Sequence, residues 1–395
     1  MHDPAPNDTG HLTTNPQAEP VLPDYDGACL TNLVPALLAD HDDSPDWLPP
    51  AVRRATQVVL LVIDGLGWEQ LRDRASLAPT LAAAAQTGRA VTSVVPTTTA
   101  TALTSIATGR PPSEHGVVGY RLAVAGDQVL NVLRWQVGSG RARDARQTIP
   151  VGQFQPYTPF PGASAPIPVV SRAEFGGTGF TAVHLGDSPL HGYRVLSTMV
   201  VETRRLLAQG SPFVYAYYDG VDKVAHAHGL GEHYDAELQA VDRLVADMAG
   251  SLPDGAVLVV TADHGQVDVG PRVVLLGQGL MAAVTFLSGE GRFRWLHTRS
   301  GAAPDVLDEA GELYGDSTWV RSREQLIDDR WFGGAFRDGV ASRLGDVALI
   351  PHAPIAFLDP ADTGETRLAA RHGSLTSAEM LVPLLCLAGD GNISP

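Results

Sequence analysis

Val58-Val-Leu-Leu-Val-Ile63 followed at once by Asp64-Gly65 is the stretch that decides the fold. A continuous run of β-branched and apolar residues predicts a strand covered on both faces, as in the middle of a parallel sheet. The pattern recurs at Phe213-Val-Tyr-Ala-Tyr-Tyr218-Asp219 and at Val257-Leu-Val-Val260-Thr-Ala-Asp263-His264. Each run ends in acid. Ligands of open α/β sheets gather beyond the carboxyl ends of the strands, so acidic and imidazole groups converge at one sheet edge. Carboxylates brought together without cations repel and partly protonate. Bound metal is the simplest reason for Asp64, Asp263 and His264 to meet there.

Outward from these strands, the chain alternates strand and helix. Leu30 to Leu38 reads as a short helix packed on the core, Pro79 to Ala85 as a helix, Ala90 to Val95 as a strand and Thr98 to Thr108 as a helix. Tyr120 to Pro168 is richer in Gly, Pro and Gln and predicts loops and a flap over the site. A helix is expected near Val195 to Leu207. Tyr234, Leu238, Val241, Leu244, Val245 and Met248 mark an amphipathic helix whose other face carries Asp235, Glu237 and Asp242. Regularity weakens after Gly265 and returns at Asp346-Val-Ala-Leu-Ile350. Residues 270–345 therefore read as an inserted cap within a catalytic domain of residues 51–395, preceded by an arm and docking helix over residues 1–50.

The 395 residues include 44% hydrophobic and 18% charged side chains, the composition of a soluble globular protein. No run approaches the roughly 20 apolar residues of a membrane span, and no membrane partner is expected. Met1 to about Asp26 is polar, without the basic and apolar regions of a signal peptide, which places the protein in the cytoplasm. With 28 Lys+Arg against 44 Asp+Glu the net charge is −16, which opposes binding to a nucleic-acid polymer. Metal at the site would invert the local potential, so a small phosphate ester remains compatible. Only Cys29 and Cys386 occur, so no thiol zinc site can be built.

Four local patterns carry chemistry. Asp64-Gly65 ends a strand, although Asp-Gly also marks ordinary turns. Pro96-Thr-Thr-Thr-Ala-Thr-Ala-Leu-Thr-Ser105 is a hydroxyl-rich strand-to-helix junction, where one threonine in 97 to 99 could cap the helix or act as a metal-activated nucleophile. In Asp222-Lys-Val-Ala-His226-Ala-His228-Gly229 the i, i+4 spacing places Asp222 and His226 on one helical face. Thr261-Ala-Asp263-His264-Gly265 follows a strand directly, with Arg371-His372-Gly373 near the end of the chain. Lys223 suits either a substrate phosphate or solvent. Together, three carboxylates, three imidazoles and a hydroxyl at a helix N-terminus are what a two-metal hydrolase needs.

These segments resemble the alkaline phosphatase superfamily, and within it the type I phosphodiesterase/nucleotide pyrophosphatase family. The P-T-x-T nucleophile segment matches Pro96 to Thr99, followed by Thr108-Gly109 and His115-Gly116. D-x-x-x-H-x-x-G falls on Asp222, His226 and Gly229, D-H-G on Asp263 to Gly265, and the late H-G on His372-Gly373. The resemblance implies a three-layer α/β core with a mostly parallel central sheet and an inserted cap. It implies Thr99 as nucleophile, one zinc on Asp222, His226 and His372, and a second on Asp64, Asp263 and His264 with the Thr99 oxygen, Mn²⁺ being able to replace Zn²⁺. One departure matters. The family's P-N-H after the nucleophile is here Thr101-Ala102-Leu103, and Ala102 has no side-chain donor for a phosphoryl oxygen. Such a donor is typically worth roughly 3 kcal/mol of transition-state stabilisation. The expected activity is hydrolysis of phosphate diesters or nucleotide pyrophosphates through a phospho-threonine intermediate. A phosphomonoesterase or phosphonate hydrolase could share the same ligands, and a phosphoester-binding protein without turnover could keep the scaffold. The sequence does not set the oligomeric state.

Overall fold

A computed structural model describes residues 19–39, 44–125, 127–138, 143–362, 364 and 367–389. The three predicted strands lie side by side at its centre. Gln57–Ile63 pairs in parallel with Ala256–Thr261 on one side and Phe213–Tyr218 on the other. Apart from Gln57 every residue of the three strands is buried, as a sheet covered on both faces demands. The full order is Arg89–Thr92, Leu381–Ala388, Ala256–Thr261, Gln57–Ile63, Phe213–Tyr218, Val169–Arg172 and Leu190–Tyr193. Of these only Leu381–Ala388 runs against its neighbours.

Two groups of mutually packed helices form the outer layers. One holds Trp68–Asp73, Pro79–Ala85, Leu196–Ala208 and Glu232–Ala249; the other holds Leu30–Leu38, Thr99–Thr108 and Gly179–Leu185. The apolar stripe predicted from Tyr234 to Met248 is buried, but Asp242 is not on the outer face. Its carboxylate accepts the N–H groups of Thr80 and Leu81 at 3.2 and 2.8 Å. Those are donors that the first turn of Pro79–Ala85 cannot satisfy internally, so a residue more than 160 positions away caps that helix.

Residues 1–18 of the expected arm lie outside the described residues. From Val21 onward the chain is tied down: the Val21 N–H donates to Leu375 O and the Tyr25 hydroxyl to Trp331 O, at 2.9 and 3.0 Å. Between Tyr120 and Pro168 four short strands, Arg121–Val124, Gln128–Asn131, Gln136–Val137 and Arg143–Asp144, form an antiparallel flap. Beyond Gly265 a second antiparallel sheet runs in the order Val284–Glu290, Phe293–Thr298, Val347–Pro351 and Thr318–Ser322. It carries its own apolar cluster around Leu296, Val306 and Phe357. The strand read at residues 346–350 belongs to this sheet rather than to the central one. No helix among the described residues is long and apolar enough to cross a membrane.

Burial holds three imidazoles, His115, His184 and His297, in the neutral form. Burial pushes His184 and His297 down to about 4, and burial with the nearby Arg343 and Arg337 pushes His115 down to about 3. Unfolded, each would take a proton near pH 6.5; folded, none does until pH 3 to 4. Their contribution to stability is therefore complete above pH 6.5 and is lost as pH falls through 6 and 5, at up to roughly 1.4 kcal/mol per pH unit for each histidine. Urea unfolding at pH 7.5 and 5.0 should show this loss, and His184→Gln should reduce the slope by about one proton. An unchanged slope would mean that His184 protonates as readily folded as unfolded.

Candidate metal centre

Register brings the first two segments together. Ile63 lies opposite Tyr218 and Val62 opposite Thr261, so Asp64 and Asp263 leave the sheet at adjacent positions. The Asp64 N–H donates to Tyr218 O at 2.8 Å, and the Asp222 N–H to Asp64 O at 3.1 Å, which anchors the first turn of helix Gly220–His228 at the strand end. Helical spacing then places His226 Nε2 3.3 Å from Asp222 Oδ1. A two-residue ladder between Val267–Asp268 and Ala370–Arg371 carries His372 alongside, with its Nε2 3.7 Å from the same Asp222 oxygen. His264 Nε2 lies 3.4 Å from Asp64 Oδ1 and 3.5 Å from Asp263 Oδ2, and Thr99 Oγ1 lies 3.2 Å from it. All seven side chains singled out from the sequence thus meet at one edge. The acid that ends the third strand does not: Asp219 pairs with Arg172 and Lys223, which also gives that lysine a role apart from substrate.

Each imidazole is oriented the same way. Nδ1 of His226, His264 and His372 faces the carbonyl oxygen of Ala370, Gly265 and Thr97 at 2.8, 3.0 and 2.8 Å. A carbonyl can only accept, so Nδ1 carries the proton and the Nε2 lone pair points into the cluster, the arrangement of a metal-ligating histidine. The carboxylates are divided likewise. Asp263 Oδ1 accepts the N–H groups of Gly65 and His264 at 3.1 and 3.0 Å, and Asp64 Oδ2 accepts the Tyr217 hydroxyl. Their second oxygens, Asp263 Oδ2 and Asp64 Oδ1, are buried without a hydrogen bond.

Electrostatics sharpen the point. Burial, then the neighbouring Asp263 and Asp222, hold the Asp64 carboxyl well above the usual range, and burial raises Asp263 as well. Burial with His264 and His226 drives His372 well below it. Two unpaired buried carboxylate oxygens are costly unless a cation meets them. Asp64, Asp263 and His264 form one group with ligand atoms within 4.8 Å of one another, and Asp222, His264 and His372 another. The donors fit divalent metal, with nitrogen and oxygen ligands and no thiolate.

Above the cluster is a cavity of about 260 Å³, floored by Thr98, Thr99, Asp222, His226 and His372 and walled by Tyr120 and Arg134 of the flap and Glu290 of the second sheet. The three adjacent threonines separate here. Thr97 is buried with its hydroxyl between Ser374 O and Gly373 N at 2.7 and 3.0 Å, while of the three hydroxyls only that of Thr99 contacts a cluster side chain. The His115 that followed the nucleophile segment in sequence lies elsewhere: its Nδ1 accepts the Val117 N–H, so Nε2 donates to Ser105 and cannot act as its base. Sequence reading missed Tyr217 and Gln266. The latter donates through Nε2 to Asp222 Oδ1 at 2.6 Å and holds that carboxylate between the two histidines. Position directly after Asp263-His264-Gly265 was the available signal for Gln266; Tyr217 looked like one more apolar strand residue.

A model of the type I phosphodiesterase / nucleotide pyrophosphatase family matches residues 58–375. Comparison with curated protein sequences finds no match. Among solved structures, murine ectonucleotide pyrophosphatase / phosphodiesterase 5, in an inactive form complexed with AMP, superposes with a TM-score of 0.63 at 15% identity over 85% of this chain and 88% of that one. Phosphonoacetate hydrolase from Sinorhizobium meliloti 1021, complexed with phosphonoformate, gives 0.61 at 18% over 85% and 91%. The human ectonucleotide pyrophosphatase / phosphodiesterase 5 gives 0.58 at 16% over 84% and 88%.

If the orphaned carboxylate oxygens await a cation, adding Zn²⁺ to chelator-stripped protein should raise its melting temperature. A free concentration 100-fold above the dissociation constant corresponds to about 2.7 kcal/mol. Asp263→Asn should remove most of that gain. Melting that ignores Zn²⁺ in the wild type would contradict the assignment.

Proposed function

The chain belongs to the type I phosphodiesterase / nucleotide pyrophosphatase family, and we propose that it hydrolyses small phosphate diesters or pyrophosphates with two Zn²⁺, or Mn²⁺, and a phospho-threonine intermediate. Asp64, Asp263, His264 and the Thr99 oxygen would hold one ion; Asp222, His226 and His372 would hold the other. The observation that carries this reading is the contact of Thr99 Oγ1 with His264 Nε2 beside two unpartnered carboxylate oxygens at the floor of a cavity. Bound cations at such a site lower the pKa of a hydroxyl and offset charge on transferring phosphoryl oxygens.

Thr99 starts the helix Thr99–Thr108, so the substrate's phosphoryl group would meet the free N–H groups of its first turn. Thr99 gives its hydroxyl proton to solvent, its oxygen attacks phosphorus, and the ester bond opposite breaks, so that the leaving oxygen departs with the electron pair of that bond. Water then attacks the phospho-threonine and frees the second product. His226, His264 and His372 keep their Nε2 lone pairs aimed inward throughout, because each Nδ1–H is spent on a backbone carbonyl. The inactive form of the murine fold neighbour has alanine in place of a threonine, which supports a threonine nucleophile here. A monoester or phosphonate substrate is a second reading within the same chemistry, because the amide donor of the resembling motif is replaced by the wholly buried Ala102 and that motif's diester preference does not carry over. The ratio of diesterase to monoesterase rates on paired aryl substrates separates the two.

Thr99→Ala should abolish turnover while two metal ions stay bound, since it removes the attacking oxygen and leaves the Asp and His side chains in place. Loss of a helix cap alone would cost roughly 1 kcal/mol of stability and leave the rate nearly intact. Near-wild-type activity in this variant, with metal content unchanged, would rule out the covalent route.

A further inference from the structure

Thr98 occupies the N-cap position of helix Thr99–Thr108 with an extended backbone, φ −133° and ψ 144°. A threonine in that place ordinarily turns its hydroxyl onto an N–H of the first turn. Thr98 makes no such bond, and its hydroxyl has no other hydrogen-bond partner among the described residues. Thr98 instead lines the cavity next to Thr99. Neither neighbouring hydroxyl can take its part: Thr97 Oγ1 is held between Gly373 N and Ser374 O, and Thr99 Oγ1 contacts His264. Ala102 lies buried in the helix outside the cavity wall, and its N–H is occupied by Thr98 O at 2.9 Å. That last bond also fixes the Thr98 backbone against the helix.

We propose that the Thr98 hydroxyl donates a hydrogen bond to a non-bridging oxygen of the transferring phosphoryl group, supplying the side-chain donor that Ala102 cannot. The proposal rests on the hydrolase reading above and adds a second substrate-touching threonine to it. A hydroxyl donating to an ionised phosphoryl oxygen is a charge-assisted bond in a partly dehydrated cavity, where one fixed donor commonly accounts for roughly 100- to 1,000-fold in rate. An N-cap hydroxyl left without a cap is affordable on these terms, because the phosphoryl group takes the donor.

The test compares Thr98→Val, which keeps the shape and removes the hydroxyl, with Thr98→Ser, which keeps the hydroxyl. With two Zn²⁺ bound, Thr98→Val should lose about 100-fold in kcat with a smaller change in KM, and bind inorganic phosphate about tenfold more weakly by calorimetry. Thr98→Ser should stay within a few-fold of wild type in both. Zinc stoichiometry and melting temperature should match wild type in each, because this hydroxyl caps nothing. Wild-type kcat and phosphate affinity in Thr98→Val would overturn the proposal, as would equal loss in Thr98→Ser or loss of zinc from either variant. Turnover that survives in Thr99→Ala but vanishes in Thr98→Val would instead make Thr98 the nucleophile and overturn both readings. An active wild type with an unaffected Thr98→Val removes only the donor role.

Discussion

Two carboxylates shut away from water, Asp64 and Asp263, and a third on the cavity floor, Asp222, stand at the carboxyl edge of one sheet, and most of the surrounding structure answers that charge. Asp64 and Asp263 are placed by the parallel register of Gln57–Ile63 with Ala256–Thr261, a main-chain constraint that admits no adjustment without slipping a strand by a residue. Backbone N–H groups neutralise one oxygen of Asp263, a tyrosine hydroxyl one oxygen of Asp64, and a glutamine amide one oxygen of Asp222. The unpartnered oxygens of Asp64 and Asp263, and the Asp222 oxygen beside His226 and His372, share one small volume with three imidazole lone pairs. Neutral donors cannot offset that much negative charge, and a divalent cation can.

The segments that build the edge come from the whole length of the chain, and the last of them needs the most support. His372 follows only the two-residue strand Ala370–Arg371, outside the central sheet. Thr97 clamps it, accepting Gly373 N–H, donating to Ser374 O and presenting its carbonyl to His372 Nδ1. On the other side, the buried Arg292, in the turn between two strands of the second sheet, makes two bonds of 2.7 Å to Glu379, which in turn accepts Ser374 N–H at 3.0 Å. The antiparallel sheet is thereby fastened to the loop that carries His372, and this is how Glu290 comes to wall the cavity. A buried ion pair of this kind adds little net stability, but it tolerates only one arrangement of its partners.

Sequence reading reached the central strands and the chemical residues for one reason: each motif is local. Asp222 and His226 are one helical turn apart, and Asp263-His264 directly follows an apolar run, so spacing alone implies a shared face or edge. Asp242, Tyr217 and Arg292 were illegible for the opposite reason. Their partners, Leu81, Asp64 and Glu379, lie far away in sequence, and a polar residue inside an amphipathic pattern reads as a solvated one until its partner is known. The strands around Arg292 were missed for the same cause. Arg292 and Arg294 are fully buried beside Phe293 and Trp295, and the charges broke the apolar pattern that would have marked a strand.

Gly65 shows how tightly the local and the distant constraints are joined. Its φ of 75° lies in the left-handed region, which already favours glycine after the strand. A second requirement is steric. A Cβ at this position would stand 2.7 Å from Gln266 Nε2 and 3.1 Å from Cα and Cβ of Asp222, the two residues whose side-chain hydrogen bond holds the outer carboxylate in place. Asp-Gly at the strand end therefore does more than turn the chain. The aspartate supplies a carboxylate to one side of the cluster, and the missing side chain of the glycine leaves room for the amide that orients a carboxylate on the other.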